Sequence, residues 1–399
     1  MKKNVLFIMN KLVCGGAEKS LLSVLETLDY SNYHVDLFLF KHEGIFLRKL
    51  PREVNLLPEP SSYKYFDMPF KDSMQLLLKE GNFRAVMNRC ILGYLAKTEK
   101  KGALIEQRFW RYLSSSIDRL EKEYDAAIGF QEKNPIYFCV DKVKAKKKLG
   151  WIHTDYNKLG VNSDRDKYYF EKLDHLVTVS DELVTILKSN FPELQKNIIC
   201  VNNILSSNMI RKMSLEEVHF KEKGENSILL VSVGRLAKEK GLDITLEAFE
   251  ILVNRGHNLK WHIIGEGNMR PLLEKSIKEK GLEDRVIFFG IKENPYPYIR
   301  QADIYIQTSR YEGKSISIEE AKILNKPIVI TNFATAKNHI INQKNGMIAE
   351  MNPLAVANAI ESFIIDEELK QRVTRNLEKE DFGTEDEIHK LDELLKMIH

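Results

Sequence analysis

Cysteine is scarce and scattered. Cys14, Cys90, Cys139 and Cys200 are the four in 399 residues, and none stands in a CxxC or Cys/His ligand spacing. A disulfide framework and a cysteine-held zinc are thereby excluded, and reduced thiols are expected. Long apolar runs are missing as well. No window approaches about 18 uninterrupted apolar residues, so no membrane-spanning helix is expected. The run from Val5 to Met9 is cut by Asn10 and Lys11, too short for a signal-peptide core, which points to a cytoplasmic chain. Excess charge of one sign is also absent. Sixty basic residues face 57 acidic ones for a net charge of +3, too balanced for a nucleic-acid partner. The dinucleotide fingerprint GxGxxG does not occur; the bare Gly15-Gly16 pair before a helix is a weaker phosphate-approach signal.

Hydrophobic residues at 43% and charged residues at 29% describe an ordinary globular chain, and 399 residues exceed a single core. Two domains follow. Apolar runs at Val5–Met9, His34–Phe40, Ala126–Phe130, Leu149–His153, His175–Val179 and Ile198–Val201 read as buried parallel strands alternating with helices. Residues 206–226 carry no core pattern and read as a linker. A second series begins with strand Ile228–Val233 and continues through Lys260–Ile264, Arg285–Phe289, Ile304–Ile306 and Ile328–Ile330. This alternation predicts an α/β protein of two doubly wound, Rossmann-like domains. Ligands in such sheets bind beyond the carboxyl ends of the strands, where His153, Arg235, Gly265 and Glu312 all fall. The lysine run at 142, 144, 146, 147 and 148 reads as a solvated face.

The chemistry concentrates in Ser309–Val329, SRYEGKSISIEEAKILNKPIV. An apolar strand leads through a glycine-containing turn into a helix, leaving backbone N–H groups at the helix start for an anion. Gly313-Lys314-Ser315-Ile316 lies there, with Ser315 as the expected N-cap. Ile316, Glu320, Ile323 and Leu324 share one helical stripe, which places Glu320 among apolar side chains and lets Glu319 reach solvent. A structural ion pair and a ligand-binding carboxylate both fit Glu320 on this stretch alone.

A different texture marks residues 84–111. Seven bases (Arg84, Arg89, Lys97, Lys100, Lys101, Arg108, Arg111) stand against Glu99 and Glu106, interleaved with Met87, Leu92, Tyr94, Phe109 and Trp110. One reading is peripheral contact of 84–113 with an anionic membrane. The other is an ordinary helix pair with a solvated basic face.

Five pieces stand in a recognisable order: GGAEKSLLSVLETL from Gly15, WIH ending at His153, VSVGRLAKEKGLDITLEAF from Val231, IIGEGNMRPLLE from Ile263, and SRYEGKSISIEEAKILNKPIVIT. The chain resembles the nucleotide-sugar glycosyltransferases of the glycogen-synthase-like family 4 (group 1), of the bacterial surface-polysaccharide type. The resemblance implies a GT-B fold with two Rossmann-like domains facing a central cleft. It implies an acceptor-binding domain at 1–205, a donor-binding domain at 206–383, and a closing helix at 384–399 packed back on the first domain. Arg235 and Lys240 would be the cations on the diphosphate, helped by the amides of Gly313, Lys314, Ser315 and Ile316. Glu320 would take the ribose hydroxyls, and Glu312 the donor sugar. His153 would face that sugar; Gly15, Gly16, Gly234 and Gly265 would let backbone approach the donor. Lys314-Ser315 stands where the family often has Phe-Pro or Phe-Gly. No cofactor and no metal are implied.

The expected function is retaining transfer from a nucleotide sugar, a UDP-sugar above all, to a glycan or polyprenyl-linked glycan acceptor. That would place the chain in capsule, lipopolysaccharide or repeat-unit assembly at the inner face of the cell membrane. Alternatives are a nucleotide-sugar epimerase, with His153 and Asp155 as acid/base pair, and a non-catalytic partner subunit. A glycosidase leaves Arg235 and Lys240 unexplained.

Overall fold

The computed structural model describes residues 2–13, 15–61, 63–98, 102–218 and 227–396. Cys14, the charged residues Glu99, Lys100 and Lys101, residues 219–226 of the expected linker, and the final residues of the closing helix lie outside them. Two compact units emerge, Met1–Ile204 with Glu385–His399, and Leu205–Thr384. The breaks fall one residue from the expected ones. Leu205 joins the second unit because it and Thr384 exchange hydrogen bonds, Leu205 N–H to Thr384 Oγ1 and Thr384 N–H to the Leu205 carbonyl, each 2.9 Å.

The first unit is a seven-stranded parallel sheet. Its strands are β1 (Lys3–Met9), β2 (Tyr33–Leu39), β3 (Val54–Leu56), β4 (Glu123–Gly129), β5 (Lys144–Ile152), β6 (His175–Thr178) and β7 (Ile198–Cys200), in the order β3-β2-β1-β4-β5-β6-β7. β1 explains its own composition. It pairs with both β2 and β4, so alternate side chains enter different cores: Val5, Phe7 and Met9 one, Leu6 and Ile8 the other. A strand covered on both faces must be apolar at every position. Each such side chain contributes about 1.5–3 kcal/mol by burial.

The lysine run belongs inside a strand. Lys144–Lys148 form the first half of β5, and the side chains have partners. Lys146 meets Asp125 at 2.8 Å, and Lys148 donates to the Val140 carbonyl at 2.9 Å. Lys147 donates to Leu394 O at 3.1 Å, while Lys3 donates to Leu395 O and Lys396 O at 3.0 Å. Two ammonium groups thus cover the carbonyl end of the closing helix Glu387–Lys396, where the helix dipole is negative. Ile388, Leu391, Leu394 and Leu395 of that helix complete the core under β1.

In the second unit the strands are β8 (Ile228–Val233), β9 (Leu259–Ile264), β10 (Val286–Gly290), β11 (Ile304–Gln307), β12 (Ile328–Thr331) and β13 (Met347–Ala349). The sheet order β10-β9-β8-β11-β12-β13 is the Rossmann arrangement. The strand order reverses between β8 and β11, and the crevice beyond that point is where ligands bind. Part of the expected linker is core. Ser206 Oγ accepts from Met209 N–H, starting a helix at Ser207–Met213 whose Ile210 is fully buried against Tyr296 and Ile318.

Candidate active site

The switch point gathers the residues of interest in the second unit. Gly234 and Arg235 leave the end of β8; a short turn at Lys238–Lys240 follows. Thr308, Ser309 and Glu312 leave the end of β11. Glu312 Oε1 accepts from Lys240 Nζ (2.6 Å), Ser309 Oγ (2.6 Å) and Gln307 Nε2 (2.7 Å), so the carboxylate is held from three sides. Gln307 Nε2 also reaches Ser315 Oγ at 2.8 Å. This engagement explains a departure from expectation: Ser315 occupies the N-cap of helix Ile316–Ile323 with no capping bond from its side chain. Arg235 is 70% exposed and paired with Glu239 at 2.7 Å. An exposed pair of this kind is worth about 0–1 kcal/mol, so Glu239 holds the guanidinium only weakly.

Arg310 locks the two turns together. Its guanidinium reaches both Asp243 oxygens (2.9 and 2.6 Å) and the Lys238 carbonyl (2.7 Å), while its own N–H donates to Glu239 O. The hydrogen bond from Arg310 holds the Asp243 carboxyl below the usual carboxylate range. Backbone proximity sets two glycines here. A Cβ at Gly265 (φ +143°) would stand 1.9 Å from the Gly234 carbonyl oxygen, and one at Gly241 (φ +62°) would stand 2.0 Å from Thr308 O. Gly265 therefore serves strand-end contact with Gly234. Gly241→Ala is expected to push the Lys240 turn off β11, with a destabilisation of about 1–3 kcal/mol. A thermal melt checks it; an unchanged melting temperature would refute the contact.

Of the two adjacent glutamates, Glu320 follows its helical phase and Glu319 does not. Glu320 is fully buried, as expected, with Oε1 accepting from Tyr296 OH at 3.0 Å. Glu319 was expected to reach solvent and does not: it is 8% exposed. Its Oε2 takes Lys322 Nζ at 2.8 Å and its Oε1 faces His339 Nδ1 at 2.8 Å. His339 Nε2 in turn accepts the Ser315 N–H at 3.4 Å. An accepting Nε2 places the ring proton on Nδ1, toward Glu319. One of the four amides expected to face the ligand is thus already engaged, and its partner comes from 24 residues downstream. No local pattern in the sequence announces His339, Gln307 or Arg310.

In the first unit, the loop after β5 carries His153. Its N–H and that of Thr154 donate to Glu132 Oε1 (2.7 and 2.8 Å), and its Nε2 lies 3.2 Å from the Phe130 carbonyl, which must accept. Burial pushes the imidazole below its ordinary value, partly offset by Glu132 and the Phe130 carbonyl. Gly15 precedes the helix Gly16–Thr27 at the end of β1. Asn10 Nδ2 donates to Gln131 Oε1 at 2.8 Å across the reversal between β1 and β4. Glu132, the clamp on the His153 loop, was not singled out by sequence.

The family described as Glycosyl transferases group 1 matches the chain over residues 215–380, nearly the whole second unit. Residues 215–380 resemble a group 1 glycosyltransferase domain. The matched span holds Arg235, Lys240, Glu312 and Glu320. Among curated proteins, the chain is similar to the poly(ribitol-phosphate) alpha-N-acetylglucosaminyltransferase of Staphylococcus aureus. That match is 25% identical over 215 residues, 52% of this chain and 41% of that protein. It is also similar to the N-acetylgalactosamine-N,N'-diacetylbacillosaminyl-diphospho-undecaprenol 4-alpha-N-acetylgalactosaminyltransferase of Campylobacter jejuni, 25% identical over 223 residues, 55% of this chain and 59% of that protein. The chain thus spans about half the length of these curated relatives. Among solved structures it superposes on Anabaena Alr3699/HepE in complex with UDP and glucose. The TM-score is 0.67 at 15% identity, covering 99% of this chain and all of that one. The fold is GT-B.

Proposed function

We propose that the protein is a retaining, metal-independent family 4 glycosyltransferase that moves a sugar from a UDP-sugar to a hydroxyl of a glycan or lipid-linked glycan. The observation that carries this reading is that Arg235 and Lys240 line one pocket beyond β8, with Lys240 paired to Glu312 from the end of β11, in the span that matches the group 1 family. In the reaction, the bond from the anomeric carbon to the diphosphate oxygen breaks and the acceptor oxygen bonds to that carbon. The acceptor proton passes to the departing phosphate oxygen. Arg235 and Lys240 stabilise the negative charge that develops on the diphosphate, so neither a protein nucleophile nor a divalent cation is needed. Amides at the start of helix Ile316–Ile323 add to this. Glu312, fixed by three donors, takes the hydroxyls of the transferred sugar, and Glu320 the ribose. His153, Gly15 and Gly16 keep the roles that the family likeness assigns them. The curated relatives act on polyol-phosphate and diphospho-undecaprenol acceptors by name, which supports an acceptor of the surface-polysaccharide type and a place at the inner face of the cell membrane.

The test is a panel of nucleotide sugars with a polyprenyl-diphosphate glycan as acceptor. Release of UDP, an unchanged anomeric configuration in the product by NMR, and full activity in EDTA are expected. Failure of every donor refutes the reading. An epimerised sugar formed without acceptor supports an epimerase instead, and UDP binding without turnover supports a non-catalytic partner.

A further inference from the structure

Asp166 lies buried in the first unit among neutral donors. It belongs to the helix Ser163–Phe170 and is 2% exposed. Its Oδ1 accepts from Tyr137 OH and from Gln107 Nε2 (2.9 Å), and its Oδ2 accepts from Tyr156 OH at 2.8 Å. Burial holds the carboxyl above its ordinary value, against those three hydrogen bonds and the charge of Lys133, which is itself paired with Glu106. A carboxylate kept inside by two phenols and an amide costs stability that an apolar side chain would not. What it supplies is two acceptor oxygens, where an asparagine has one.

The three donors come from three elements. Tyr137 belongs to the helix Asn134–Lys142. Gln107 belongs to the helix Gly102–Leu113, which the basic texture of 84–111 would lay on a membrane and which turns inward instead. Gln107 and Trp110 are buried, and Trp110 Nε1 donates to Asp141 at 2.8 Å. Tyr156 belongs to the ten-residue connection 153–162 between β5 and the helix of Asp166. His153 opens that connection, and its amide and the next are held by Glu132. Asn162 closes it, clamped by Gln107: Gln107 Oε1 accepts the Asn162 N–H at 2.7 Å, and Gln107 Nε2 reaches the Asn162 carbonyl at 3.2 Å. Between these ends the Tyr156 ring packs on Phe170 and Phe191, and its hydroxyl meets Asp166. A loop tied at its start, middle and end presents its side chains in one arrangement. At a reacting centre that matters, since a displacement of about 1 Å can cost about 10² in rate.

We propose that Asp166 is a positioning residue: through Tyr156 it fixes the loop after β5, and His153 with it. The kinetic consequence rests on the proposed function, in which His153 faces the donor sugar. The fixing of the loop does not, so the two are measured separately. Tyr137→Phe and Tyr156→Phe each remove one phenol donor from the same carboxylate, the first from a helix and the second from the loop. Amide exchange over 153–160 is expected to be about tenfold faster in Tyr156→Phe and in Asp166→Ala, and within about twofold of the parent in Tyr137→Phe. With the accepted donor and acceptor, kcat is expected to fall about tenfold to 10²-fold in Tyr156→Phe and Asp166→Ala and to stay within about twofold in Tyr137→Phe. The double variant Asp166→Ala/Tyr156→Phe should be no slower than Asp166→Ala, because the two residues act as one unit. UDP affinity, read by calorimetric titration, should match the parent throughout. A carboxylate that only stabilises the fold would make the two phenol variants alike in exchange and in kcat, and that result overturns the proposal. Parent-like loop exchange in Tyr156→Phe overturns it too, as does a loss of UDP affinity in step with kcat. A parent that turns over no donor defeats the proposed function instead, and the exchange contrast then decides whether Asp166 holds the loop.

Discussion

Lys240→Met is expected to lower turnover about 10²–10³-fold, and Arg235→Met by a similar factor, because in the proposed reaction each removes one cation from the charge that forms on the departing diphosphate. The two variants should differ in stability. Arg235 is 70% exposed and pairs with Glu239 four residues on, so its loss should leave the melting profile unchanged. Lys240 is 23% exposed and touches a Glu312 that is 11% exposed. Its removal leaves that carboxylate with only the neutral donors Gln307 and Ser309, at a cost of about 1–3 kcal/mol. The double variant Lys240→Met/Glu312→Gln should therefore regain stability and regain no turnover. Residues in direct contact couple in this way, and the cycle separates a structural ion pair from a catalytic one. Steady-state kinetics with the accepted donor, beside denaturation curves, reads both. Turnover within about twofold of the parent for both single variants would mean that the diphosphate is bound elsewhere.

Much of this site was legible because the two turns carry local chemistry. Gly234-Arg235, Lys240-Gly241 and Glu312-Gly313 each follow an apolar strand, and strand ends are where α/β sheets bind ligands. The β1 and β8 runs were equally plain, since central strands are apolar on both faces. What escaped has a physical cause in each case. β3 and β13 are three residues long, too short to display a period. The first half of β5 is nearly all lysine, and what makes it a strand is its pairing with β4 and the carboxylates and helix carbonyls that receive the ammonium groups. Glu319 was misplaced by helical phase because helix Ile316–Ile323 is buried nearly all round: Ile316, Ile318, Glu319, Glu320, Ala321, Lys322 and Ile323 are all inside. A moment argument needs a wet face, and this helix has almost none. Its polar side chains survive there only by meeting partners distant in sequence, such as His339.

That buried cluster gives the second large effect. Lys322→Met is expected to destabilise the second unit by about 3–5 kcal/mol, because it strands the Glu319 carboxylate in the interior with His339 alone. Burial raises the Glu319 carboxyl, but the hydrogen bond with His339 and the charge of Lys322 outweigh it and hold the group below its ordinary value. A carboxyl with a depressed folded value contributes stability that is complete above the unfolded value, about 4.3. That contribution is lost as pH falls through the folded value. The parent should accordingly lose stability between about pH 4.3 and the lower folded value by a term that Glu319→Gln lacks. Replacing the whole cluster (Glu319→Leu, Lys322→Met and His339→Leu together) removes every charge at once and should recover most of the stability lost in Lys322→Met. The triple variant frees the Ser315 amide, so UDP affinity reports separately on whether His339 shapes the start of the helix. Because the chain has two units and a single transition is not assured, the readout is hydrogen exchange on peptides covering 316–323 and 333–340. Protection there unchanged in Lys322→Met would show that the ammonium group is incidental to the fold.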